Sequence, residues 1–120
     1  MLVMKVKSLY VSVSDMDRAI NFYATHIFKK NPVSVTKRYS IFDIDGFQFG
    51  LFSPVVANEE HIIGNNCVPT IEVEDVKKIY QELKSKGFKI ELDFHNVGTY
   101  YLFQVRDSEE NILEFYQVIE

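Results

Sequence analysis

The sequence predicts an α+β fold of two βαβββ modules, with eight strands curved into an incomplete barrel and the helices outside. Three observations carry that expectation. Short stretches alternate apolar and polar residues at the two-residue period of a half-buried strand. Two amphipathic stretches each open on an aspartate placed as a helix N-cap. These aspartates, Asp15 after Val11-Ser12-Val13-Ser14 and Asp75 after Ile71-Glu72-Val73-Glu74, lie 60 positions apart (75 − 15) in a chain of 120. Such an offset is what a duplicated module leaves.

In chain order, residues 5–13 alternate, with Leu9, Val11 and Val13 on one face and Ser8, Tyr10 and Ser12 on the other, so they read as a strand. Met16, Ala19, Ile20, Tyr23 and Ile27 then follow helical spacing, and the helix must end before Pro32. A strand is expected at Val33 to Arg38. Asp45-Gly46 predicts a hairpin between Tyr39-Ser40-Ile41-Phe42-Asp43-Ile44 and Phe47-Gln48-Phe49-Gly50-Leu51-Phe52. The first module is assigned to 1–57, and a polar connector to 58–66, in which His61 reads as a solvated loop residue. The second module, 67–120, opens on a strand from Cys67 to Val73. Val76, Ile79, Tyr80 and Leu83 make a helix that Gly87 ends, and two more strands follow at Phe88 to Phe94 and Thr99 to Val105. His95 falls in the loop after the first of these.

The polar turn Asp107-Ser108-Glu109-Glu110-Asn111 launches the last strand, with Ile112, Glu114 and Tyr116 on one face and Leu113 and Phe115 on the other. Glu114 thus stands mid-strand among apolar neighbours, where an ionised carboxylate is costly unless something pairs with it.

Composition narrows the function. At 120 residues the chain is expected to form one domain of two modules. The formal net charge is −4 and no run of Lys and Arg exists, so the attraction on which nucleic-acid binders rely is missing. No apolar stretch reaches the roughly 20 residues that span a bilayer. The N-terminus also lacks the order of a secretion signal. These features point to a cytoplasmic protein with no membrane partner. The single Cys67 can form no internal disulfide and reads as a small, half-buried side chain. With 10 Phe, 7 Tyr and no Trp, the rings suit strands around an interior able to hold a flat ligand.

The strand ending Val13-Ser14-Asp15 with Ala19 and Phe22-Tyr23 behind it, Val73-Glu74-Asp75 with Gly87, and the closing Asp107 to Glu114 together resemble the vicinal oxygen chelate superfamily. This is the glyoxalase, bleomycin-resistance and extradiol-dioxygenase group, and the likeness covers nearly the whole chain. Ser108 and Glu110 replace the Pro and Gly usual in its last turn, and Phe28 stands where a Gly often ends the first helix. The resemblance implies metal ligands on the first and last strands of each module. Those positions hold Ser8, Gln48 or Gly50, Val68 and Glu114, a set with one carboxylate and no imidazole, so neither a metal nor any other cofactor is expected. His26, His61 and His95 occupy none of these positions.

Without a metal, Glu114 becomes an acceptor for a ligand's donor or cation, and Ser8, Ser12, Thr70 and Gln48 offer neutral hydrogen bonds. Tyr10, Tyr100 and Tyr116 can stack on a planar group, and Glu72 adds a second acid on the face of Val68 and Thr70. Acid beside aromatic faces favours a partly aromatic, cationic ligand. The expected protein is therefore a metal-free small-molecule binder whose site comprises Ser8, Tyr10, Ser12, Gln48, Gly50, Val68, Thr70, Glu72, Tyr100, Glu114 and Tyr116. By the resemblance it is a homodimer. The alternative is a glyoxalase-like lyase or isomerase with Glu114 as general base, with or without a divalent metal.

Overall fold

The computed structural model describes residues 6–64 and 67–119, and the chain divides into two compact units, Met1–Ile62 and Ile63–Glu120. In the first unit, β1 (Ser8–Ser12) leads into α1 (Met16–Phe22), a π-helical turn (Tyr23–Ile27), β2 (Tyr39–Ile44) and β3 (Phe47–Phe52). Asp15 caps α1 by accepting a hydrogen bond from Arg18 N at 3.0 Å, satisfying one of the amides that a helix start leaves without a partner. The π-helical turn closes with a bond from Phe28 N to Tyr23 O.

The strands lie in the order β1-β3-β2, with β1 parallel and β2 antiparallel to β3. Alternation then sends Val11, Phe49, Leu51, Phe42 and Ser40 to one face, where they are buried together with Ala19, Phe22 and Tyr23 of the helical segment. Tyr23 and Phe49 meet at 5.0 Å between ring centroids, and Phe28 and Phe42 at 5.1 Å. Burying each such ring contributes about 1.5–3 kcal/mol. The β2–β3 turn is the expected hairpin: Asp45 and Gly46 both have positive φ, 52° and 88°, and Gly46 N donates to Asp43 Oδ1.

In the second unit, β4 (Thr70–Glu72) is followed by α2 (Val76–Ser85), β5 (Ile90–Val97), β6 (Tyr100–Arg106) and β7 (Ile112–Val118), in the sheet order β4-β7-β6-β5. Asp75 caps α2 as Asp15 caps α1, accepting from Lys78 N at 3.2 Å. Gly87, at φ 87°, ends α2 in the left-handed conformation. Val76 and Leu83 of α2 are buried, as are Phe103, Val105, Leu113 and Phe115 on one sheet face, with Phe103 and Phe115 stacked at 5.4 Å. The two aspartates 60 residues apart thus do the same work in two modules.

Three expectations need correction. Val33 to Arg38 does not form a strand: Ser34 makes one bridge to Ile41, leaving three strands in the first sheet. Thr36 diverts the chain there, because its Oγ1 donates to Tyr39 O while its own backbone N–H and C=O both bond Ser40 Oγ. The strand expected from Cys67 is three residues long, since Pro69 has no N–H to extend the ladder, and Cys67 is exposed rather than half-buried. His95 lies on β5 opposite Leu102, not in a loop, because pairing with β6 continues through Asn96–Tyr101 and Val97–Tyr100 up to the Gly98 turn. Among the described residues, no helix is long and apolar enough to cross a membrane.

Candidate functional site

Each sheet turns its second face away from its helix, and the sequence-predicted residues other than Val68 lie on those faces. In the first unit, the β1–β3 register sets Ser8 beside Gln48, Tyr10 beside Gly50 and Ser12 beside Phe52. Tyr39 and Ile41 of β2 complete the face, opposite Phe52 and Gly50. Gly50 is required by its neighbour: a Cβ there would lie 2.5 Å from Tyr39 Cζ and 3.1 Å from Tyr10 Cβ. The Tyr39 ring therefore lies over β3, edge-on to Tyr10 at 6.0 Å and to Phe52 at 6.1 Å. Its phenol is held above the ordinary tyrosine pKa, by burial first and by Tyr10 second.

His61 does not float in solvent. Its ring stacks on Phe52 at 5.2 Å and leans over Tyr10 at 6.4 Å, its Nδ1 is 2.6 Å from Ser12 Oγ, and its Nε2 is 3.0 Å from Glu59 Oε1. Ser12, expected to face a ligand, is thereby engaged by a side chain of its own unit. Tyr39, Phe52 and His61 are the members of this face that sequence reasoning missed. Strand alternation could have found the first two, and nothing local marks the third.

In the second unit, Glu114 lies between Thr70 on β4 and Gln104 on β6, and Tyr116 between Glu72 and Leu102. Glu114 Oε1 accepts from Gln104 Nε2 at 3.0 Å, and among the described residues no side chain donates to Oε2. Thr70, Tyr100, Leu102, Glu114 and Tyr116 line one depression of about 230 Å³. Tyr100 and Tyr116 meet edge-to-face at 5.8 Å on its rim. Tyr116 Oη points to Glu72 Oε1 at 3.4 Å, and burial followed by that acid raises the phenol's pKa. Four of the five lining residues are sequence-predicted, and Leu102 is the addition. Val68 precedes β4 and is not among them.

The donors do not fit the metal that the resemblance implies. In the first unit the positions hold a hydroxyl at Ser8, an amide at Gln48 and no side chain at Gly50. In the second, Val68 has no donor atom and Glu114 is already tied to Gln104. Among the described residues no three His, Cys, Asp or Glu side chains cluster as a metal would need.

With this geometry in hand, comparison with known proteins identifies the class. The model of the Glyoxalase/Bleomycin resistance protein/Dioxygenase superfamily matches residues 5–115, so the chain belongs to that superfamily. The fold is shared with a protein of Agrobacterium tumefaciens solved by NMR, at 19% identity and TM-score 0.85, covering 98% of this chain and 100% of the other. A glyoxalase/bleomycin resistance protein/dioxygenase family enzyme from Burkholderia phytofirmans is similar at 13% identity and TM-score 0.82, covering 97% and 100%. A lactoylglutathione lyase, also from Agrobacterium tumefaciens, is similar at 17% identity and TM-score 0.76, covering 94% and 92%. Likeness at these identities shows the fold alone. No curated protein matches the sequence.

Proposed function

We propose that the protein binds a small cationic ligand carrying one aromatic ring, without a metal, on the face of the second unit's sheet that is turned away from α2. The observation that carries this is the depression itself, with the Glu114 carboxylate at Thr70 and the Tyr100 and Tyr116 rings beside it. Its 230 Å³ falls below the roughly 300–1,000 Å³ that hold drug-sized ligands, so a single ring with a short ammonium arm fits better. The ammonium would donate to Glu114 Oε2, and the tyrosine faces would attract the same charge through their quadrupoles. Glu72, beside Tyr116, keeps the rim negative. Superfamily membership allows this reading alongside enzymatic ones.

The test is titration with 2-phenylethylammonium and with 3-phenylpropionate, which differ chiefly in the charge of the arm. The ammonium compound should bind saturably and raise the melting temperature, and the carboxylate should not. Glu114→Gln removes a charge-assisted hydrogen bond worth about 1.5–3 kcal/mol, which corresponds to about 10- to 150-fold weaker binding. Equal binding of both compounds, or no loss in Glu114→Gln, refutes the proposal. A new product in the ammonium titration would favour the lyase or isomerase reading, with Glu114 as general base. The homodimer implied by the resemblance belongs to the same proposal, and static light scattering on the full chain tests it.

A further inference from the structure

The contacts of His61 are those of a nucleophile, a base and an orienting acid. Ser12 Oγ is 2.6 Å from His61 Nδ1, and His61 Nε2 is 3.0 Å from Glu59 Oε1, both within the reach that proton transfer needs. With Nε2–H donating to the Glu59 carboxylate, Nδ1 is left as the acceptor for the serine proton. The ring is fixed in that orientation by stacking on Phe52, 20° from parallel. His61 is largely buried, its side chain 19% exposed, whereas Glu59 is 49% exposed. Ser12 comes from β1, and His61 lies 49 residues further on with Glu59 two residues before it, so the chain of contacts is tertiary, not a by-product of one turn. Tyr10, two positions before Ser12 on the same sheet face, is 50% exposed and offers a flat surface next to the hydroxyl.

We propose that Ser12, His61 and Glu59 form an acyl-transfer relay that hydrolyses small aryl esters, with the aryl ring laid against Tyr10. This site lies wholly in the first unit and is independent of the ligand depression in the second. Ser12 Oγ forms a bond to the ester carbonyl carbon as its proton passes to His61 Nδ1. The carbonyl carbon's bond to the aryloxy oxygen breaks, and the phenolate takes the proton from Nδ1. Water then attacks the acyl-serine, gives a proton to Nδ1, and the bond to Ser12 Oγ breaks with that proton returned to it. Ester and water become carboxylic acid and phenol, with no oxidant or reductant. Glu59 is a positioning residue, since it acts through the imidazole.

Incubation of the full chain with 4-nitrophenyl acetate tests this. A burst of 4-nitrophenolate equal to the protein concentration is expected, followed by slower turnover. Acid quench and peptide mass mapping should place the acetyl group on Ser12. Ser12→Ala should abolish the burst, and His61→Gln should slow acylation by about 10²-fold or more, the usual contribution of a general base. Glu59→Gln should lower the acylation rate and move the rising limb of its pH profile to lower pH, because the imidazole loses the anion that favours its protonated form, a shift that a purely structural contact would not produce. Should Ser12→Ala fail to fold, Ser12→Cys keeps a nucleophile at that position and should be acetylated on sulfur. Acetylation confined to lysine, tyrosine or Cys67, or an unchanged rate in Ser12→Ala, overturns the proposal.

Discussion

Asp107→Ala is the substitution for which the structure sets the clearest magnitude. The Asp107 carboxylate is 3% exposed and accepts from Glu109 N at 2.7 Å, Asn111 N at 2.8 Å and Asn111 Nδ2 at 3.0 Å. Hydrogen bonds to a charged acceptor contribute about 1.5–3 kcal/mol each, and a buried donor left unmet costs about 1–3 kcal/mol. The turn can open partly to water, so the three losses do not add in full, and we expect a destabilisation of about 3–5 kcal/mol. For a chain of this length that lowers the melting temperature by roughly 10–20 °C. Urea denaturation with a two-state fit is the assay. Asp107→Asn sharpens it: the amide oxygen can still accept both backbone bonds, but its NH₂ then faces Asn111 Nδ2, a donor against a donor, so an intermediate loss of about 1–3 kcal/mol is expected. A loss below about 1 kcal/mol in Asp107→Ala would refute the idea that this carboxylate organises the turn. The turn matters for function because it starts β7, the strand that carries Glu114 and Tyr116.

Three further outcomes follow from the aromatic residues on the sheet faces turned away from the helices. Gly50→Ala must displace the Tyr39 ring and forfeit its edge contacts with Tyr10 and Phe52, about 0.5–1.5 kcal/mol each, offset by about 0.4–1 kcal/mol from a less flexible unfolded chain. Urea melts should show a net loss of about 1–2 kcal/mol, and a gain in stability would mean that Tyr39 does not need the space. The same phenol gives a pH signature: its folded pKa lies above the ordinary 10.0, so its contribution is complete below that value and is lost as pH rises through the folded pKa. Gly50→Ala should flatten that alkaline loss in stability measured across the range. Glu72→Gln should bring the Tyr116 titration, followed by ultraviolet absorbance, back toward 10.0, because the acid is one cause of its rise. An unmoved curve would assign the shift to burial alone.

The architecture was legible where it rests on local rules. Asp15 and Asp75 announce their helices because an N-cap oxygen satisfies amides within its own turn, and Asp45-Gly46 announces its hairpin because only certain residues tolerate positive φ. Glu114 and Tyr116 were placed together on one face by alternation, and the depression in the second unit includes both. Val33 to Arg38 misled because its β-branched residues fit a strand, while Val33 and Val35 have no apolar partner face and are 65% and 60% exposed. The Thr36–Ser40 bonds that divert it involve side chains that are compatible with either outcome.

By itself the sequence determined the two helix starts, the hairpin between β2 and β3, the alternating faces of β1 and β7, and the lone carboxylate of β7. All of these follow from periods of 2 and 3.6 residues and from turn chemistry, which act over a few neighbouring positions. Only the tertiary structure decided that His61 reaches Ser12, that Tyr39 lies across Gly50, and that Gln104 takes one oxygen of Glu114. Those contacts depend on strand register and on where a connector returns. Both are set by the summed burial of side chains distant in sequence, a quantity that no local pattern contains.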